Sequence, residues 1–196
     1  ILHIDGVIAQ GNIPYFKASK YINNCLAFRL GSPLGSYTID DEATNKILQG
    51  LTLKILQALS IEDRAFHLEL IHHQGEYYFL EIGGRVGGGE IPFITQNAED
   101  IDLFQLWTDA SLGETMPKRE VKKTGFLMFP NPFAEGFQFD KEFKVDNDLV
   151  IFQQVKYEQE ETTGFSYEDI PARVHFVGNS SEELERAIRQ TINQIS

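Results

Sequence analysis

Two apolar segments joined by a polar turn decide the fold: Phe66-His-Leu-Glu-Leu-Ile71 and Tyr77-Tyr-Phe-Leu-Glu-Ile82, with His72-His-Gln-Gly-Glu76 between them. Segments rich in aromatic and branched residues on either side of a short glycine-containing turn are typical of a β-hairpin. Gly75 can supply the positive φ that such a turn demands. The second arm continues into a glycine-rich loop, Gly83-Gly-Arg-Val-Gly-Gly-Gly89.

One glutamate lies on each arm of this hairpin. A three-residue loop over 74–76 would pair Glu69 with Glu81 across the two strands, on one face of the sheet. The same register makes two further pairs: Ile71 with Phe79, and His73 with Tyr77. Two carboxylates about 5 Å apart repel each other by roughly 3 kcal/mol at an effective dielectric of about 20. A cation between them, or protonation of one, removes that cost, and oxygen ligands favour Mg²⁺ or Mn²⁺.

Arg85 follows Glu81 by four residues, at the point where the strand gives way to the glycine-rich loop. Two carboxylates, a divalent cation and a guanidinium suit a polyphosphate ligand, because the metal bridges phosphate oxygens while the guanidinium holds the transferring charge. The spacing equally fits a surface hairpin whose two glutamates face solvent and are neutralised by Arg85.

The hairpin with its glutamates, the arginine and the glycines resembles the C-terminal half of the ATP-grasp catalytic domain. The resemblance implies that Glu69 and Glu81 hold Mg²⁺ against the phosphates of ATP, and that Arg85 contacts the transferred phosphoryl group. It further implies an adenine contact for Ile71, which as an ordinary core residue would look the same in sequence. His67 shares the face of Glu69, so it is either a nucleotide or substrate contact or a half-buried histidine without that role. Gly87, Gly88 and Gly89 form either a wall that lets substrate approach the backbone or a plain loop. Many members carry Asn two residues after the second glutamate as a further metal ligand. Gly83 stands there in this sequence, which leaves one or two metals open and favours the amino-acid ligase branch.

The activity that this resemblance implies is ATP-dependent carboxylate–amine ligation through an acyl phosphate. Two alternatives stay open: a carboxylase or purine-pathway type of ligase acting on bicarbonate or a small acid, and an ATP-grasp-like module that binds a ligand without turnover. The implied partners are small carboxylate and amine substrates, and a homodimer stays open. The chain begins at Ile1, without Met, inside an apparent strand. We therefore expect an N-terminal half of the same protein to supply the remaining ATP contacts.

Composition excludes several classes of protein. The net charge of −12 argues against a nucleic-acid partner, because phosphate binding needs clustered Lys and Arg. The single cysteine, Cys25, excludes an internal disulfide framework and fits a reducing compartment. The sequence contains no run of about 18 apolar residues, the length that would predict a membrane span. A cytoplasmic enzyme is expected.

The predicted fold class is α+β, an antiparallel sheet with flanking helices followed by a small β-rich C-terminal subdomain. The expected domains are 1–118 and 119–196, with the boundary at Met116-Pro-Lys-Arg119. Apolar patterning predicts strands over 2–9, 12–16, 26–30, 126–129, 149–155 and 172–177, with a loop over 31–35. It predicts helices from Asp40 or Asp41 to Leu59, from Glu99 to Leu112, and after a capping box at Ser180–Glu183.

Overall fold

The computed structural model describes residues 1–114, 116–130, 144–156 and 170–195. They form two compact units: the first comprises residues 1–20 and 38–122, and the second comprises 21–37 and the described residues from 123 onward. Six pairs of neighbouring strands have a defined register, and each of these six pairs is antiparallel. The predicted α+β class, an antiparallel sheet flanked by helices, is therefore confirmed.

The elements follow one another in this order: β1 (Leu2–Ala9), β2 (Asn12–Ile22), α1 (Cys25–Arg29), β3 (Leu34–Thr38), α2 (Glu42–Ala58), β4 (Arg64–His73), β5 (Glu76–Gly83), α3 (Ile91–Glu99), α4 (Leu103–Ser111), β6 (Thr124–Phe129), β7 (Val150–Val155), β8 (Ala172–Val177) and α5 (Ser181–Ile195). Among these helices none is both long and apolar enough to cross a lipid bilayer.

The first unit is a sheet in the order β5-β4-β1-β2. Because side chains alternate along a strand, its two faces differ sharply. One face is apolar and packs on α2; its buried residues include Leu2, Ile4, Leu48, Leu56, Phe66, Leu68 and Leu70. The opposite face, here called the polar face, carries the buried side chains of His3, Asp5, Lys17, His67 and Glu69. Helix α3 covers part of it, because Glu99 of α3 contacts Lys17 and Tyr15 of β2.

The second unit is a sheet in the order β3-β6-β8-β7, with α5 against one face. Leu184 and Ile188 of α5 pack on Leu127 and Phe176 in its core. One half of the predicted capping box is confirmed, since the Ser180 hydroxyl accepts from the Glu183 backbone N–H at 3.1 Å. The Glu183 carboxylate accepts from the Asn179 N–H, one residue before the cap, at 2.7 Å.

The strand predicted over 26–30 is wrong, because this segment begins with a helix, α1. The Asn24 side chain caps it by accepting from the Ala27 N–H at 2.8 Å. Leu26 and Leu30 are 67% and 78% exposed, so their apolar character reflects no core position. The loop predicted over 31–35 is also partly wrong, since β3 already begins at Leu34.

The helix predicted from Glu99 to Leu112 begins too early: α3 ends at Glu99, and the helix within the predicted range is α4, which begins at Leu103. Asp100 adopts a left-handed backbone, φ 56°, that ends α3, and Asp102 then caps α4 by accepting from two backbone N–H groups. Leu106 of α4 is buried, whereas Phe104 is 55% exposed. Helix α2 is confirmed with Asp41 as its cap. Two apolar residues, Ile47 of this helix and Leu59 directly after it, are nevertheless 57% and 52% exposed.

Candidate functional site

The hairpin of β4 and β5 brings Glu69 opposite Glu81, as predicted, but through a different geometry. Its turn has two residues, Gln74 and Gly75, with φ 52° and 81°, a combination typical of the type I′ turn that matches strand twist. The other predicted pairs are therefore wrong: His72 faces Tyr77, Ile71 faces Tyr78, and His73 faces Glu76.

A β-bulge restores the predicted pairing of the glutamates. Leu70 pairs with Phe79 and Glu69 with Glu81, so Leu80 is an extra residue in β5. An inserted residue shifts the alternation of one strand relative to its partner. Without it, Glu81 would not share a face with Glu69. Both glutamates consequently lie on the polar face.

The two glutamates differ in their surroundings. Glu69 is 7% exposed, whereas Glu81 lies at an exposed position. Beside them on the same face, Ile71 and Tyr78 form a cross-strand pair that is 39% and 52% exposed. The site thus combines one enclosed carboxylate, one accessible carboxylate and an open apolar surface. Carboxylate oxygens in this arrangement fit a hard divalent cation such as Mg²⁺.

The Arg85 side chain lies over Gly83. A Cβ at Gly83 would stand 3.2 Å from Cγ and 3.3 Å from Nε of Arg85. Gly83 pairs with His67, so the arginine stem extends across the polar face. Its Nη1 donates to the Val86 carbonyl at 2.9 Å, which holds the guanidinium beside the glycine-rich loop.

A chain of buried side chains runs along the polar face to Glu69. His3 donates from Nδ1 to Oδ2 of Asp5 at 2.7 Å, and His67 donates from Nδ1 to Oδ1 of Asp5 at 2.8 Å. Nε2 of His67 lies 3.4 Å from Oε1 of Glu69. His3, Asp5 and His67 each offer one atom that could bind a metal, a ring nitrogen or a carboxylate oxygen. These three atoms lie within 4.8 Å of one another, close enough to share one metal ion. In the structure both histidines donate hydrogen bonds to Asp5.

These contacts set the charges within the chain of side chains. Burial lowers the pKa of His67, but the carboxylates of Asp5 and Glu69 outweigh it and raise that pKa to about 10. Burial raises the pKa of Asp5, but the charge of His67 and hydrogen bonds from both histidines outweigh it, so the pKa of Asp5 lies below its usual range. His67 is therefore an imidazolium between two carboxylates, and it neutralises part of the repulsion at Glu69.

A second buried ion pair lies on the same face. Nζ of Lys17 donates to Oε1 of Glu99 at 2.7 Å, and both side chains are almost fully buried. The Tyr15 hydroxyl donates to Oε2 of Glu99 at 3.2 Å, and the Lys122 N–H donates to its Oε1 at 2.9 Å. Burial lowers the pKa of Lys17, although Glu99 offsets part of the effect. This cluster attaches α3 to the sheet.

The glycine-rich loop contacts these buried side chains at Gly87. A Cβ at Gly87 would stand 2.3 Å from Oδ1 of Asp5 and 3.0 Å from Nδ1 of His67. Only glycine allows the backbone to come this close. Gly88 and Gly89 of the same loop are exposed and half-buried.

Asp5, His3 and Lys17 were missed by sequence reasoning. Their signal is the alternation of β1 and β2, in which His3 and Asp5 interrupt the apolar run Leu2-His-Ile-Asp-Gly-Val-Ile8 at every second position. Strand pairing then aligns Asp5 with both Lys17 and His67, which a reading of single segments does not reveal.

The sequence matches no protein-family model, and no curated protein matches it. Solved structures do resemble it. An L-amino acid ligase from Bacillus licheniformis is 19% identical over 99% of this chain and 52% of its own, with a TM-score of 0.69. Phosphoribosylglycinamide synthetase from Anaerococcus prevotii is 14% identical over 100% of this chain and 52% of its own, with a TM-score of 0.67.

A third match is N5-carboxyaminoimidazole synthetase from Staphylococcus aureus, solved in complex with ADP, at 12% identity and a TM-score of 0.62. It covers 100% of this chain and 50% of its own. The chain thus spans about half the length of the structures it matches. They are ATP-grasp ligases, and at these identities the likeness establishes the fold. The predicted resemblance is confirmed at that level: this chain has the fold of one half of an ATP-grasp protein.

Proposed function

We propose that this chain carries the cation-binding and phosphoryl-contacting half of an ATP-dependent carboxylate–amine ligase. The observation that carries the proposal is the pairing of Glu69 with Glu81 on one face, with the Arg85 stem crossing that face beside them. The fold shared with ligases supports the general type of reaction.

Glu69 and Glu81 would hold Mg²⁺ or Mn²⁺, because their oxygens are the ligands that these cations prefer. The bound cation supplies charge neutralisation for the phosphates of ATP. Ile71 and Tyr78 offer an open apolar surface beside the carboxylates, which suits the flat face of an adenine. The remaining nucleotide contacts would come from the other half of the protein, because the matched structures are about twice as long as this chain.

The chemical role of Arg85 follows from its geometry. A planar guanidinium can donate to two phosphoryl oxygens at once. In the proposed reaction a substrate carboxylate attacks the terminal phosphorus of ATP, ADP leaves, and an amine then displaces phosphate from the acyl phosphate. Arg85 would stabilise the oxygens that gain charge during both transfers. His67 and the loop of Gly87, Gly88 and Gly89 would line the acceptor side.

The purine-pathway alternative keeps the same site and changes the acid. Two of the matched structures, from Anaerococcus prevotii and Staphylococcus aureus, carry names of that group. Their similarity to this chain does not exceed that of the amino acid ligase. A panel of acids, with and without amines, distinguishes these alternatives by the substrate dependence of ADP release.

The test compares Glu81→Gln with Glu76→Gln in the full-length protein. Glu76 begins the same strand, is exposed, and faces His73 at the far end of the hairpin. Glu81→Gln should abolish acid- and amine-dependent ADP release with the fold intact, whereas Glu76→Gln should retain it. Normal turnover in Glu81→Gln would refute the metal assignment. ATP binding without ADP release from any acid tested would favour the non-catalytic module.

A further inference from the structure

We propose that Asp5 is a positioning residue for the cation site: it orients His67 against Glu69 and seats the glycine-rich loop that follows Arg85. This inference rests on the function proposed above, in which Glu69 is a cation ligand. It assigns a role to a buried carboxylate that would not itself touch cation or substrate.

Asp5 lies at the centre of the polar face and is 3% exposed. Its cross-strand partners are Lys17 on one side and His67 on the other. Each carboxylate oxygen accepts from one histidine, at 2.7 Å from His3 and 2.8 Å from His67. A buried carboxylate with both oxygens engaged in short hydrogen bonds has a fixed orientation, and so have the rings that donate to it.

The orientation of His67 matters because its other nitrogen points to Glu69. With Nδ1 held by Asp5, Nε2 lies 3.4 Å from Oε1 of Glu69. Glu69 is the enclosed member of the glutamate pair, so this ring restricts the rotamers of a carboxylate that has little other freedom. Removal of a group that hydrogen-bonds to a metal ligand and orients it commonly lowers the metal affinity about 10- to 100-fold.

The same carboxylate supports the glycine-rich loop. The position of a Cβ at Gly87 falls 2.3 Å from Oδ1 of Asp5, so the loop backbone rests directly on the Asp5–His67 pair. Arg85 lies two residues earlier and is tied to this loop through the Val86 carbonyl. A displacement of Asp5 is therefore transmitted to Glu69 through His67 and to Arg85 through the loop.

The alternative is that Asp5 only stabilises the fold, and the Lys17–Glu99 pair provides the matched control. It lies on the same face and is almost fully buried. Lys17 faces Asp5 across the strands, but its ammonium bonds to Glu99, so Lys17→Met changes the surroundings of Asp5 without removing the hydrogen bonds from His3 and His67. We would compare Asp5→Asn with Lys17→Met in the full-length protein. Three quantities are measured: the affinity for Mn²⁺ alone by paramagnetic resonance, the separate kcat and KM for ATP, and the melting temperature.

Both substitutions should lower the melting temperature. Only Asp5→Asn should also weaken Mn²⁺ binding, by about 10- to 100-fold, and lower kcat. Equal Mn²⁺ affinity in the wild type and Asp5→Asn would overturn the inference, as would an equal loss in Lys17→Met.

Gly87→Ala provides a second route if Asp5→Asn fails to fold. It leaves the carboxylate in place but forces the loop and Asp5 apart, and Gly87 has no left-handed backbone that alanine would strain. It should reproduce the loss of Mn²⁺ affinity, and wild-type affinity in Gly87→Ala would contradict the inference. Glu81→Gln separates the two proposals. If that variant binds Mn²⁺ normally, the cation site and the proposed function both fail; if only it loses affinity, the role of Asp5 alone fails.

Discussion

Gly83 and Arg85 are related by contact: the arginine stem occupies the space that a side chain at Gly83 would fill, with Cγ and Nε 3.2 and 3.3 Å from the position of the missing Cβ. Gly83 pairs with His67, two residues along β5 from Glu81. A polar side chain at this position could reach a cation held by the glutamates. In this chain the stem of Arg85 occupies the space beside Gly83.

This contact predicts the effect of Gly83→Ala. The added methyl group must push the Arg85 stem by a few tenths of an ångström or turn it away. If Arg85 contacts the transferred phosphoryl group as proposed, its misplacement lowers the rate. We expect kcat to fall about tenfold, with a smaller change in KM for ATP. Gly50→Ala is the control, because a Cβ at Gly50 in α2 meets nothing within 4 Å. Equal kcat in the two variants would show that the contact has no role in turnover.

Arg85→Lys tests whether the guanidinium acts as a fork or as a simple counter-charge. A lysine retains the charge but cannot donate to two oxygens in one plane. We expect kcat to fall by roughly 10- to 1,000-fold, equivalent to about 1.4–4 kcal/mol of transition-state stabilisation. Steady-state kinetics with varied ATP measures it. A change confined to KM would assign Arg85 to ground-state binding.

The pairing of the glutamates could be predicted from sequence, but the turn length and the bulge that produce it could not. Both a three-residue turn and a two-residue turn with a bulge place Glu69 opposite Glu81. Gln74 adopts φ 52°, a left-handed backbone conformation that glutamine does not favour. Because Leu80 looks like any apolar strand residue, nothing local in the sequence marks it as the extra residue.

The strand predicted after β2 is wrong because Leu26 and Leu30 are exposed, whereas Phe28 between them is buried. Leu26 and Leu30 suggested a strand, while the decisive feature was the Asn24 cap on a five-residue helix. The polar face was missed for the opposite reason. His3, Asp5 and His67 come from distant positions in the sequence, and only the register of β1 with β4 brings them together.

The Lys17–Glu99 pair predicts a loss of stability when one partner is neutralised. In Glu99→Gln the Lys17 ammonium stays buried without its counter-charge, and breaking a buried pair in this way costs about 3–5 kcal/mol. Lys17→Met in the same background should recover part of the loss. Urea unfolding followed by the fluorescence of Trp107, the single tryptophan of the chain, measures the first unit, to which this residue belongs. Additive losses in the double variant would contradict the coupling.

Asp5 predicts a specific dependence of stability on acid. Its pKa in the folded protein lies below the ordinary value of 3.8, because His67 and the hydrogen bonds from both histidines outweigh burial. Between the pKa of Asp5 in the folded protein and its pKa in the unfolded chain, the unfolded chain binds a proton that the folded protein does not. The contribution of Asp5 to stability is therefore present above the unfolded pKa and is lost as pH falls below it.

The free energy of unfolding of the wild type should therefore decrease steeply below about pH 4. In Asp5→Asn this decrease should be smaller, from a lower starting value at neutral pH. Glu76→Gln removes an exposed carboxylate and should parallel the wild type. Urea unfolding at a series of pH values, followed by Trp107 fluorescence, gives the three curves. Identical slopes in acid for the wild type and Asp5→Asn would mean that Asp5 is not held as a carboxylate by the two histidines.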